Sequence, residues 1–406
     1  MKISILRQAA FTATLLTAGL AHAGTVEGDI ASNITPLLNN VPIEKIIKSD
    51  RAGLYEVVTP RGIVYTDKAG SFVLFNGVML DTKTKVNLTD KRMDEVVQFN
   101  FADLPLKDAI KIVKGDGRRV MVTFEDGWNT PNEVSQRYGV YTSNLRSVRP
   151  YPVDVLSGGH SGHVAAVGSR FVVFYSNDWI NGGGVDNLGT GNGVYAKIYD
   201  GDGALVQAVD VAPRVREWWP MIAGSPTRAL LVWQQYVAGE TFARLKVATL
   251  DPATGALGGS RVIAPRLQYY TYAAAYVPSV DRFLVVATGG DGKGFAQLID
   301  QNGETTATLA CMPASVREAG IAVIGDRAFT PSQDGRLLHL RLTATSIELA
   351  GTQPSPIKWT YTGSIGLVRS PTQLHWVATS PKGLQEAEFD LDAVKPATAA
   401  DRCETP

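Results

Sequence analysis

A chain of 406 residues that balances 39 Lys and Arg against 39 Asp and Glu has no net charge, which argues against a nucleic-acid or other polyanion partner. Its length exceeds what one typical domain needs, and a hydrophobic content of 45% supplies apolar side chains for more than one core. With 40 Gly and 21 Pro among many Val, Thr, Tyr and Trp, the composition points to a mainly β protein rich in tight turns.

Residues 1–23 have the layout of a secretory signal: Lys2 and Arg7 in front, an apolar run over 9–20, then Ala21-His22-Ala23 as a small-x-small cleavage site. Cleavage between Ala23 and Gly24 would deliver a periplasmic or secreted chain. No later run reaches the roughly 20 apolar residues of a spanning helix, so no membrane span is expected.

Residues 34–88 alternate apolar and polar side chains in short runs. Leu54, Val57, Ile63, Tyr65, Phe72, Leu74 and Val78 fit strands, and Asp67-Lys68-Ala69-Gly70 fits a hairpin turn. The segments Gly53-Leu54-Tyr55-Glu56-Val57-Val58-Thr59, Gly62-Ile63-Val64-Tyr65-Thr66-Asp67, Val86-Asn87-Leu88-Thr89 and Arg119-Val120-Met121-Val122-Thr123-Phe124-Glu125-Asp126 resemble the periplasmic disulfide isomerases of the DsbC/DsbG family. That resemblance implies a small cystatin-like α+β domain over residues 24–100 that forms a homodimer. It also implies that residues 101–110 and the 120–124 strand open a thioredoxin-like domain leading into a Cys-x-x-Cys pair.

The pair is missing. Asp126 is followed by Gly127-Trp128-Asn129-Thr130-Pro131, and no cysteine comes before Cys311. A thiol–disulfide exchanger needs an attacking thiolate, so isomerase chemistry is not expected. Residues 101–149 read as a remnant of the thioredoxin-like start followed by a polar linker. The 120–124 strand must then find another sheet edge, because a lone strand leaves its backbone groups unpaired.

Residues 150–406 repeat with a period of about 50 residues, as propellers and solenoids do. Pro213, Pro265, Pro313 and Pro354 each end a β-run and lead into a polar and aromatic cluster. Each joint is followed by a small-residue strand, a stronger strand and a third one. A turn comes next (Asp200-Gly201-Asp202-Gly203, Asp251-Pro252-Ala253-Thr254-Gly255 or Asp300-Gln301-Asn302-Gly303), then a fourth strand. Four strands per repeat is a propeller blade. First strands near Ala165, Ile222, Ala274, Ile321 and Ser364 predict a five-bladed β-propeller, with Pro152-Val153-Asp154-Val155-Leu156 completing the fifth blade and closing the ring. Cys311 and Cys403 read as a disulfide pinning the C-terminal tail across the third blade, with two free thiols as the alternative.

Residues just before each first strand should ring one mouth of the channel: His160 and His163; Arg216, Glu217, Trp218 and Trp219; Tyr269, Tyr270 and Tyr272; Arg317 and Glu318; Lys358, Trp359 and Tyr361. Of these, Arg216, Trp218, Trp219, Tyr269, Tyr270, Arg317 and Trp359 are the candidate ligand-binding residues, because aromatic rings beside charged groups suit a glycan or protein ligand. Packing between blades is the other reading of the same aromatics. Glu217 and Glu318, at matching places, are the one candidate acid–base pair for a propeller-type glycoside hydrolase, although the Arg beside each favours a salt bridge.

His160-Ser161-Gly162-His163 lacks a third ligand, and the Asp200-Gly201-Asp202-Gly203 turn lacks the closing Glu of a calcium loop, so neither a metal nor a cofactor is expected. The glycine-rich run over 182–193 precedes a strand rather than a helix and is no phosphate loop. The expected protein is an exported, non-redox binding protein. The alternatives are a DsbC-family interchange protein that has lost its redox site and the glycoside hydrolase.

Overall fold

Thr25 begins the first element seen in the computed structural model, which describes residues 25–38, 41–49, 51, 53–59, 62–75, 77–89, 92, 118–126, 135–142, 146–157, 160–177, 193–359, 364–380 and 383–403. The signal segment, residues 101–117, Tyr361 and most of the glycine-rich run lie outside these residues. The chain divides into two compact units between Pro105 and Leu106.

In the first unit, the Thr25 hydroxyl accepts from the Gly28 N–H at 3.2 Å and caps α1 (Val26–Ile34). Ile30 and Ile34, four residues apart, share one helix face, and with Leu38 they pack on Tyr55, Val57 and Val64. Those partners lie on a three-stranded antiparallel sheet of β1 (Lys45–Lys48), β2 (Tyr55–Thr59) and β3 (Gly62–Thr66). The predicted turn follows β3. The Gly70 N–H donates to the Asp67 carbonyl at 3.1 Å, and Gly70 takes the left-handed φ of 64° that the turn requires. Beyond it, Phe72, Leu74, Phe75, Val78, Leu80 and Val86 are exposed.

The second unit consists of successive antiparallel strand groups. β4 (Arg119–Asp126), β5 (Ser135–Thr142) and β6 (Ser147–Ser157) form the first sheet. β7 (His160–Val167), β8 (Arg170–Ser176), β9 (Gly193–Tyr199) and β10 (Leu205–Pro213) form a four-stranded sheet in chain order. β11 (Glu217–Gly224), β12 (Ala229–Tyr236), β13 (Ala243–Leu250), β14 (Arg261–Val277), β15 (Arg282–Gly289), β16 (Gly294–Ile299) and β17 (Thr305–Met312) make seven strands in a row. β14 serves two groups, pairing β13 through its first part and β15 through its second. β18 (Ala322–Ile324), β19 (Arg327–Pro331), β20 (Arg336–Thr343) and β21 (Ser346–Pro354) follow, then β22 (Ser364–Ser370), β23 (Gln373–Ser380) and β24 (Gly383–Asp390).

First strands of neighbouring groups lie side by side: β4 with β7, β7 with β11, β11 with β14, β14 with β18, and β18 with β22. This is the β-propeller arrangement. Small residues on these strands allow the approach; a Cβ on Gly224 of β11 would run into the Ala166 carbonyl of β7. Apolar side chains fill the spaces between groups, as where Phe174 of β8 meets Trp233 of β12 edge-on at 5.9 Å.

Two sequence expectations change. Residues 152–156 sit in β6, which pairs with β5 and not with β24, so they do not complete the fifth repeat. An alternating strand fits any sheet edge of the right pleat, and sequence does not say which. β6 also runs through the expected boundary at Pro150, and β4 finds its partner edge in β5, inside the stretch read as linker.

The tail is fastened at three points. β25 (Lys395–Pro396) pairs with β21, and Cys403 bonds Cys311 on β17 with a Cα–Cα distance of 5.9 Å. Asp401 adds a hydrogen-bonded ion pair to Arg336 at 2.7 Å.

Candidate functional site

The starts of the first strands do not run straight into their sheets. Pairing registers shift between His160 and His163, between Trp218 and Met221, and between Leu267 and Tyr272. Bulges of this kind re-aim side chains at a strand end. Two of these segments hold a non-glycine residue in left-handed backbone, Trp219 at φ 61° and Tyr270 at 69°, and Glu318, ahead of β18, does the same at 47°. Each such residue carries about 1–3 kcal/mol of strain, which the surrounding contacts must hold.

Those contacts join the groups to one another. The Arg317 guanidinium lies 4.5 Å from the Trp219 ring centroid and 4.2 Å from that of Tyr270, and the two rings meet edge-on at 4.6 Å. Trp218 stacks on Tyr269 at 6.0 Å and reaches Tyr236 at 6.5 Å. The Arg216 guanidinium carbon lies 3.8 Å from the Tyr236 ring centroid. The Tyr272 hydroxyl donates to the Trp219 carbonyl, the Glu318 N–H donates to the Tyr270 carbonyl at 3.3 Å, and His163 Nδ1 is 2.7 Å from the Pro220 carbonyl. Burial raises the Tyr269 phenol above its ordinary range and pushes Tyr272 much further, so both stay neutral donors.

The predicted residues separate into two sets. Arg216, Trp218, Trp219, Tyr269, Tyr270 and Arg317 come together in one patch where Trp218 and Trp219 are buried and the other four are half-buried. Trp359 does not join it: its ring packs against Trp376 at 5.9 Å and Phe389 at 6.4 Å, in the apolar core around β23 and β24. The sequence reading missed Gln234 and Tyr236, which enter the patch from the end of β12. Gln234 Oε1 accepts from the Tyr270 N–H at 3.0 Å.

Glu217 is removed from the acid–base pair. Its carboxylate accepts from Trp233 Nε1, from Gln235 Nε2 at 2.7 Å and from Lys246 Nζ at 2.8 and 3.0 Å, and the residue is 3% exposed. All these donors belong to β12 and β13, so the carboxylate is turned into its own sheet and spent on holding it together. Its ion-pair partner is Lys246 rather than the neighbouring Arg216.

At the opposite end of the strands, a cleft of about 500 Å³ is lined by Arg118, Arg119, Arg170, Asp200 and Asp202 among others. Arg119 and Asp202 pair there at 2.9 Å, so part of its charge is internally neutralised. Asp200 itself closes the predicted hairpin turn, accepting on Oδ1 from the N–H groups of Asp202 and Ala204 at 3.0 and 2.8 Å. Among the described residues, no three His, Cys, Asp or Glu side chains gather as a metal site, and no helix is long and apolar enough to cross a membrane.

Comparison with known proteins bears on the first unit. Residues 19–90 match the family described as disulfide bond isomerase protein N-terminal domain. The probable thiol:disulfide interchange protein DsbC of Bordetella pertussis is 40% identical over 74 residues, covering 18% of this chain and 26% of that protein. Its counterpart in Bordetella avium is 35% identical over 81 residues, covering 20% and 29%. The chain therefore spans between 26% and 29% of the length of these curated relatives. Among solved structures, a prolyl endopeptidase is similar over 69% of this chain and 40% of its own, at 14% identity and a TM-score of 0.42. The WD40 domain of Toxoplasma gondii coronin is similar over 64% and 67%, at 7% identity and a TM-score of 0.40. The sequence match and the strand pairing together describe a DsbC-like N-terminal domain followed by a β-propeller-like region.

Proposed function

We propose that this chain is an exported, non-redox binding protein in which the DsbC-like domain forms a homodimer and the propeller recognises a glycan or protein ligand. One observation carries the reading: Trp219, Tyr270 and Arg317, from three successive strand groups, are held in mutual contact beside the half-buried Arg216, Tyr236 and Tyr269. Rigid rings with cationic groups between them offer a preformed recognition surface, and strained backbone is retained where such a surface must be held in place.

Residues 1–23 act in this reading as a secretory signal, and each partner of the dimer presents one propeller. Two linked sites raise avidity for a multivalent ligand when both can engage. Thiol exchange has no support in the cysteines, since the two that the sequence contains are bonded to each other. The match over residues 19–90 favours a second reading, an interchange-family protein that has kept its dimerisation part and lost its redox site.

The test is a glycan and peptide array probed with the full chain. Hits should be retained by the wild type and lost by Tyr269→Ala and Arg317→Gln, with circular dichroism unchanged and no turnover of the captured ligand. An array without hits, or hits indifferent to both substitutions, rejects recognition at this patch.

A further inference from the structure

We propose that Arg216 and the donors around it form a seat for a carboxylate, supplied by an acidic residue or the C-terminus of a peptide. This rests on the binding reading above and narrows it to one chemistry. Arg216 is half-buried and pairs with no carboxylate among the described residues; the adjacent Glu217 is engaged by Trp233, Gln235 and Lys246. Arginine is rarely withdrawn from water without an anionic partner. With its guanidinium carbon 3.8 Å from the Tyr236 ring centroid, Arg216 brings to the patch the fork of N–H groups that a carboxylate matches.

The neighbouring polar atoms ask for the same group. Arg216 Nε, Trp218 Nε1, Gln234 Nε2 and the Tyr269 hydroxyl are all sealed from solvent, and none has a hydrogen-bond partner. They are contiguous: Trp218 stacks on Tyr269, is cross-strand to Gln234, and adjoins the Tyr236 ring that carries Arg216. The first three are donors only, and the phenol can donate. A buried unmatched donor costs about 1–3 kcal/mol, so a group that only accepts and carries negative charge suits this cluster of donors.

The ring faces decide between sources of that carboxylate. A sugar would need an open aromatic face, but Tyr236 is covered by Arg216, Trp219 and Tyr270 flank Arg317, and Trp218 and Tyr269 cover each other. Edges and donors remain, in a Trp, Tyr and Arg composition typical of the energetic centres of protein interfaces.

Tryptophan fluorescence titration of the full chain tests this with four probes: acetyl-Gly-Glu-Gly-amide, its Gln counterpart, acetyl-Gly-Gly-Gly with a free C-terminus, and glucuronate. The Glu peptide, the free-C-terminus peptide or both should bind at least about tenfold more tightly than the Gln peptide, and whichever binds identifies the source. Arg216→Lys, which keeps the charge but not the fork, should remove that preference while the melting temperature stays unchanged. If Arg216→Lys melts early, loss of the preference on adding one methyl group to each peptide carboxylate serves as the second readout. Equal binding of the Glu and Gln peptides, tighter binding of glucuronate than of either carboxylate peptide, or no saturation by any probe overturns the seat. Should the seat fail while array hits still depend on Tyr269 and Arg317, the broader binding reading survives; should both fail, it falls too.

Discussion

Lys246 and Glu217 are both withdrawn from water, with side chains 13% and 4% exposed, and each is the other's only full counter-charge among the contacts formed there. Breaking such a pair from one side leaves an uncompensated buried charge. Lys246→Met is therefore expected to lower stability by about 3–5 kcal/mol in urea denaturation, and Glu217→Gln on top of it to recover part of the loss. His339 on β20 provides a second test. It meets Phe329 edge-on at 4.8 Å, and burial lowers its pKa from the ordinary 6.5 to about 4. A folded pKa below the unfolded one means that the unfolded chain binds the extra proton first. Stability is then full above pH 6.5 and falls between pH 6.5 and 4, by about 3 kcal/mol from this group. Across that window the melting temperature of wild type should fall relative to that of His339→Leu as pH falls; parallel curves would remove His339 from the acid response. The role of Glu217 was only half legible in the sequence. A salt bridge could be expected from its charged surroundings, but its partner sits 29 residues along the chain, and cross-strand register alone brings the two together.

Strand by strand, repeated joints and hairpin turns were readable because each depends on local chemistry: a proline ending a run, an Asp side chain accepting backbone N–H groups, a glycine at positive φ. β5 was not readable. Its inward positions include Gln136, buried so that its carboxamide can accept from the Gly162 N–H at 3.0 Å, and that polar residue breaks the apolar alternation. Nor does local pattern reveal where a tail docks, and the pairing of the two-residue β25 with β21 has no signal in the sequence. β25 has only two paired residues, so the Cys311–Cys403 bond and the Arg336–Asp401 ion pair carry most of the attachment. The bond closes 92 residues of chain. Replacing both cysteines by Ala should lower stability by about 2–4 kcal/mol and open residues near 395–403 to limited proteolysis. Unchanged stability and unchanged cleavage would mean that β25 and Asp401 suffice alone.

For the whole molecule, the useful surface is the apolar run in the first unit. Val78 and Leu80 are 60% and 61% exposed, and Phe72, Leu74, Phe75 and Val86 extend the same stretch. Apolar side chains concentrated this way mark an association surface on a folded unit. Light scattering on the full chain should accordingly give twice the chain mass. Val78→Asp with Leu80→Asp should give the single mass with the β spectrum retained; a monomeric wild type would discard the dimer. The mouth patch, by comparison, stands on ground that does not yield easily. β14 is the outer strand of one group and the inner strand of the next within 17 continuous residues, and it contains Tyr269 and Tyr270 at the point where its partner changes. Neither group can loosen by itself without dragging that shared strand. A shift at this joint is thereby passed to two neighbouring sectors at once, because the same strand pairs with both.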